Sequence, residues 1–200
     1  MSTHSYCKIT TKNIYIKFYK LPNMQNLKIE KYNCTMRFFH WFLFLFISFN
    51  LIVGLVMKYS SAVSIDKIFW YGLHKSIGVS IILFVFMRII ARFCSKIPPH
   101  SEKIAKKYVI MAKLNIFLLY FCMIAVPLSG FIMSDAGPYG VSWFGYKLPS
   151  LMEQNNQTSY FSHELHSYFS YMFIALIGLH ILATIRHFIF DKTNLLKRII

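Results

Sequence analysis

A chain of 200 residues has room for one domain of ordinary size. Its composition excludes a typical soluble one: 56% of the residues are hydrophobic, 20 are Phe and 13 are Tyr, and only 14% are charged, the balance of a membrane protein. A net charge of +15 would suit nucleic acid. No nucleic-acid-binding motif accompanies it, however, and the basic residues gather between apolar runs, so membrane topology accounts for them and no nucleic-acid partner is expected.

Residues 1–37 are polar and basic, with no run apolar enough for a signal sequence or a span. They read as a flexible cytoplasmic arm or as an extension ahead of the true start, with Met24 and Met36 as alternative starts. A dispensable extension is the favoured reading. Residues 38–200 read as one all-α domain.

Crossing about 30 Å of hydrocarbon takes about 20 mostly apolar helical residues, because no water is there to satisfy an open backbone. Four segments qualify, at about 38–57, 70–93, 108–133 and 165–190. They predict an integral membrane four-helix bundle, up-down-up-down. Lys and Arg favour cytoplasmic loops. Before the first span stand Lys8, Lys12, Lys17, Lys20, Lys28, Lys31 and Arg37. Around the connection of spans two and three stand Arg88, Arg92, Lys96, Lys103, Lys106, Lys107 and Lys113, and at the chain end Arg186, Lys192, Lys197 and Arg198. Only Lys58, Lys67, Lys75 and Lys147 fall on the other side, so both termini are expected in the cytoplasm.

The loop from Ser134 to Ser162 is then outside, and its Pro138, Gly140, Trp143, Phe144, Gly145 and Pro149 predict an ordered turn against the membrane surface. Two roles stay open for it, interfacial anchor and substrate contact. Cys7, Cys34, Cys94 and Cys122 lack the spacings of a zinc site or disulfide framework and read as apolar fillers or free thiols. A Cys-x-x-Cys-His motif is absent, which excludes covalent c-type haem.

Ionisable side chains inside a span are functional candidates by default. His40 lies near the inner start of span one, His74 near the outer start of span two, and His166 and His180 near the outer start and further along span four. His166 and His180 are 14 residues apart, about 21 Å of rise and within about 40° of one face. Matching depths pairs His40 with His180 on the inner side and His74 with His166 on the outer side. Facing neutral imidazoles in an apolar bundle suit bis-histidine ligation of two haems. Bare zinc fits less well, since it wants three or four protein ligands and each level offers two. His163 is about 100° off the shared face and reads as interfacial. His187 reads as a cytoplasmic-surface residue, and His4 and His100 carry no evident role.

Arg88 follows His74 by 14 residues, which sets it at the depth of the inner pair. It is either a snorkelling arginine of the inner interface or the partner of a haem propionate. Gly54, Gly78 and Gly178 lie where a flat macrocycle would approach a helix, although glycine also serves simple packing in membranes.

With these residues in view the chain resembles the prokaryotic cytochrome b-561 family of four-helix, di-haem membrane proteins. The resemblance runs over about residues 36–198 and rests on RFFHW (37–41), HKSIGVSIILFVFMRIIAR (74–92), PLSG (127–130), GYKLP (145–149) and ELHSYFSYMFIALIGLHILATIRH (164–187). It implies His40, His74, His166 and His180 as axial ligands of two non-covalent b-type haems. It also implies electron exchange with the quinone pool, including oxidation of superoxide with reduction of ubiquinone. Lys113, Asn115 and Ile116 depart from a region of span three that often includes histidine, which puts a quinone or proton-handling role there in doubt.

The function expected is a di-haem cytochrome b of the bacterial inner membrane, passing electrons from an outer donor, superoxide or a redox protein, to quinone. Lys75 and Lys147 would draw an anionic donor. The alternative is a haem b membrane-anchor subunit linking a soluble dehydrogenase or hydrogenase to quinone. A non-haem transporter lacks the broken, repeated spans it would need. Membrane lipid and quinone are the expected partners, with association into homo-oligomers left open.

Overall fold

The computed structural model describes residues 31–59, 65–98 and 104–200. Most of the N-terminal extension, with His4, Cys7 and Met24, and also His100, lies outside the described residues. Four helices dominate: α1 (Cys34–Tyr59), α2 (Ile65–Phe93), α3 (Lys106–Asp135) and α4 (Asn156–Ile189). All four are long and apolar enough to cross a membrane. The expected four-helix architecture therefore holds, with longer helices than the apolar runs suggest.

The ends differ from expectation because polar caps, invisible to hydropathy, extend the helices. α1 starts at Cys34 rather than Phe38, since the Asn33 side chain accepts a hydrogen bond from the Met36 amide at 2.9 Å. α4 starts at Asn156 rather than near Leu165, because Asn155 Oδ1 accepts from the amides of Gln157 and Thr158 at 2.9 and 3.0 Å. The loop expected over 134–162 is thus confined to 136–155.

α1 packs on α2, α2 on α3, and α3 most extensively on α4. The shared core takes Leu43 and Ile47 from α1, Ile77, Ile81 and Val85 from α2, Cys122, Met123 and Val126 from α3, and Phe173 from α4. Cys122 is an apolar filler there, while Cys34 and Cys94 are exposed free thiols. Phe44, Leu45, Phe86, Phe117 and Leu182 stay exposed, as side chains facing lipid would. Not every Phe of α1 faces outward, because Phe42 and Phe46 stack on each other and meet Phe84 of α2.

Between α3 and α4 a hairpin forms from β1 (Ser142–Trp143) and β2 (Tyr146–Lys147), antiparallel. Its tip, Phe144 and Gly145, has φ of 45° and 91°. Positive φ at both central residues gives the tight turn whose twist matches paired strands. The hairpin lies on α2: Trp143 Nε1 donates to Ser80 Oγ at 3.0 Å and the Phe144 amide to Ser76 Oγ at 2.9 Å. The expected ordered turn is therefore held by a helix as well as by its own ladder. At the opposite end the chain after α4 makes a short 3₁₀ turn, Leu195–Arg198. Carbonyls there accept from Tyr32 N at 2.9 Å and from Trp41 Nε1 at 3.1 Å, which binds the chain end to α1.

Candidate functional site

The site at the hairpin end is built by α2 and α4. His74 and His166 face each other with ring centroids 6.1 Å apart and planes at 87°. His166 Nδ1 lies 2.8 Å from the Val126 carbonyl of α3. A carbonyl oxygen only accepts, so Nδ1 carries the hydrogen and Nε2 keeps a lone pair free for a ligand bond. The Nδ1 of His74 is buried and has no hydrogen-bond partner.

Two glycines press on these rings. A Cβ on Gly54 of α1 would come 3.2 Å from His74 Cε1, and one on Gly130 of α3 would come 3.0 Å from both Cε1 and Nδ1 of His166. Helix backbone reaches the imidazoles only because no side chain intervenes. Gly54 was expected beside a macrocycle and here abuts the His74 ring. Gly130 escaped the sequence reading as a site residue, although the PLSG stretch contains it; depth and face arithmetic on histidines does not reveal which glycine of another helix meets them. Gly78 sits loosely, 3.8 Å from Asn50 Nδ2, and Gly178 meets nothing within 4 Å, so neither makes a tight approach.

These residues fit a haem. Two metal–nitrogen bonds of about 2 Å, with the half-width of each ring beyond them, separate coordinated imidazole centroids by about 6 Å, the spacing observed. A ring oriented through Nδ1, with Nε2 left free as at His166, suits a ligand to haem iron.

At the other end of the bundle His40 of α1 and His180 of α4 are half-buried, and Arg88 of α2 lies at their depth. The His40 ring stacks on Trp41, with centroids 5.3 Å apart and planes at 10°. Arg88 Nε donates to Tyr120 OH of α3 at 3.1 Å. Asn115, singled out in span three together with Lys113 and Ile116, is buried and donates to the Leu176 carbonyl at 3.3 Å, one turn before His180. It clasps α3 to α4.

Of the remaining histidines, His163 is exposed at the edge, 3.3 Å from Met133 Sδ, in keeping with an interfacial residue. The surface position expected for His187 is corrected: it is 6% exposed. The chain turns back after α4, setting Asp191 Oδ2 2.5 Å from His187 Nδ1 and Thr193 N 3.1 Å from its carbonyl, while Tyr108 covers the ring. Lys75 and Lys147 converge on Gly140 of the loop between α3 and α4: Lys75 Nζ reaches its carbonyl at 3.4 Å, and a Cβ there would meet Lys147 Cε at 3.7 Å.

The family model for prokaryotic cytochrome b561 matches residues 31–200. Cytochrome b561 homolog 2 of Escherichia coli (strain K12) is 25% identical over 176 residues, which is 86% of this chain and 92% of that protein. The Yersinia pestis protein named probable superoxide oxidase CybB is 25% identical over 177 residues, 84% of this chain and 95% of its own. Paired intramembrane imidazoles in a four-helix bundle and a family match over most of the chain agree: the chain belongs to the prokaryotic cytochrome b561 family and is a multi-pass bacterial membrane cytochrome of electron transfer, with b-type haem as the implied cofactor.

Proposed function

We propose that the chain holds two non-covalent b-type haems, one between His74 and His166 and one between His40 and His180, and carries electrons from an outer-side donor to the quinone pool of the bacterial inner membrane. The hairpin end faces outward and both termini face the cytoplasm, as the basic residues direct. The observation that carries this reading is the 6.1 Å separation of the His74 and His166 rings.

A haem held by His74 and His166 or by His40 and His180 would supply a one-electron couple suited to outer-sphere transfer. His166 is held in register by the Val126 carbonyl, so its Nε2 is preset towards the ligand. Gly54 and Gly130 keep the backbone close and the cavity free of other side chains. Arg88, at the depth of His40 and His180, offsets the charge of a buried carboxylate. Lys75 and Lys147 place positive charge together on the outer face, which draws an anion. The name of the Yersinia pestis relative supports superoxide as the donor, with ubiquinone as the acceptor.

The test is the absorbance spectrum of the detergent-purified protein, oxidised and reduced, with its haem-to-protein ratio. Reduced b-type bands at two haems per chain are expected, falling to one in His74→Ala and one in His180→Ala. Colourless protein sinks the reading.

A further inference from the structure

Arg88 and Arg92 stand one helical turn apart on α2 and bear on the same side chain of α3. Their Cζ atoms lie 5.8 and 5.6 Å from the centroid of the Tyr120 ring, and Arg88 Nε also donates to its hydroxyl. Like charges at such positions oppose each other, the more so at the depth of a membrane span. Among the described residues neither arginine has a carboxylate partner; Asp191 is engaged by Arg186 and His187.

Tyr120 does not neutralise this charge. Its ring attracts both guanidiniums and its oxygen accepts from one, which supplies no carboxylate, and its O–H hydrogen can be given to an acceptor. Both guanidiniums are thus within about 6 Å of one ring, together with its O–H donor. An anion with two negative charges, or two singly charged arms, would balance them. Arg88 lies 14 residues along α2 from His74, about 21 Å of rise, which sets the cluster at the depth of His40 and His180.

Resting on the two-haem reading above, we propose that Arg88, Arg92 and Tyr120 form one cradle that takes both carboxylate arms of the haem held by His40 and His180, with Tyr120 as the positioning residue that spaces the guanidiniums. Charge-assisted bonds of arginine to carboxylate supply the affinity, and the two positive charges favour the reduced iron over the oxidised.

The test uses the full chain purified with its haem, comparing Arg92→Gln, Arg92→Lys and Tyr120→Phe by spectroscopic redox titration and haem retention. The inner midpoint is identified as the one lost in His180→Ala. Arg92→Gln is expected to lower the inner midpoint, because a lost cation favours the oxidised form, and to weaken haem retention about tenfold, equivalent to ~1.4 kcal/mol. The outer midpoint should stay unchanged, and Arg92→Lys should restore most of the shift. Tyr120→Phe keeps the ring but not the hydroxyl and should lower the inner midpoint by less.

The shared chemistry of an anionic lipid headgroup is separated by assaying phospholipid phosphorus in the same preparations. Loss of bound phosphorus in Arg92→Gln with an unmoved inner midpoint overturns the proposal. So does a haem-replete protein in which neither Arg92→Gln nor Tyr120→Phe shifts that midpoint, even though the two-haem reading would then survive. If Arg92→Gln does not assemble, Arg92→Lys combined with Tyr120→Phe carries the test. A wild-type protein without haem overturns both.

Discussion

The His166 ring of α4 hands its Nδ1 hydrogen to the Val126 carbonyl of α3 at 2.8 Å while facing His74 of α2, so three helices meet at one imidazole. An axial ligand set by such an outer contact loses metal affinity by about 10–100-fold when the contact is disturbed. On the two-haem reading, His166→Ala should release the haem proposed between His74 and His166 while His180→Ala releases the one proposed between His40 and His180, the two variants keeping different reduced bands. Identical spectra for the two single variants would contradict separate sites.

The glycines divide by what a methyl group would meet. At Gly130 a Cβ would stand 3.0 Å from the His166 ring, whereas at Gly178 nothing lies within 4 Å. Gly130→Ala should displace the ring, costing about 1–3 kcal/mol of overpacking and depleting the outer haem. Gly178→Ala should leave haem content and melting temperature nearly as in the wild type. Pyridine haemochrome assays beside thermal melts in detergent read both, and equal behaviour of the two variants would refute the close approach of Gly130 to His166.

Trp143 Nε1 donates to Ser80 Oγ across the α2 surface. Ser80→Ala strands the indole N–H, and Trp143→Phe removes the donor altogether. Each should destabilise hairpin docking by about 1 kcal/mol, and the double variant should cost less than the two single losses added together. Indole fluorescence and protease sensitivity of the 136–155 segment follow the docking. Strict additivity would place these groups apart in solution.

Lys147 is exposed beside Gly140, near the half-buried Lys75. With an anionic donor such as superoxide, Lys147→Gln should slow reduction of the outer haem several-fold at low ionic strength, within the roughly 10–1,000-fold span of electrostatic steering. The difference should vanish at about 1 M salt, where the Debye length is about 3 Å. A rate ratio insensitive to salt would exclude steering by this residue.

Much of the architecture is readable from residues alone, because burying an open backbone in hydrocarbon is so costly that four long apolar runs admit one interpretation. The four intramembrane histidines were legible for the same reason: each is a polar group where polarity is penalised, and helical periodicity sets its depth and face. Helix ends were less legible, since the caps at Asn33 and Asn155 act through one or two side-chain hydrogen bonds that hydropathy does not register.

Tertiary structure alone decided which neighbours complete each site. Nothing local to Gly130 says that it will press on His166, and nothing local to Tyr120 says that it will hold Arg88 and sit beneath Arg92. Likewise His187, which by position belongs at the surface, is buried because the chain doubles back to bring Asp191 onto it. Periodicity fixes the direction a side chain takes from its own helix, but the lateral order and spacing of helices arise from packing between residues distant in the chain, and that information is held by no single segment.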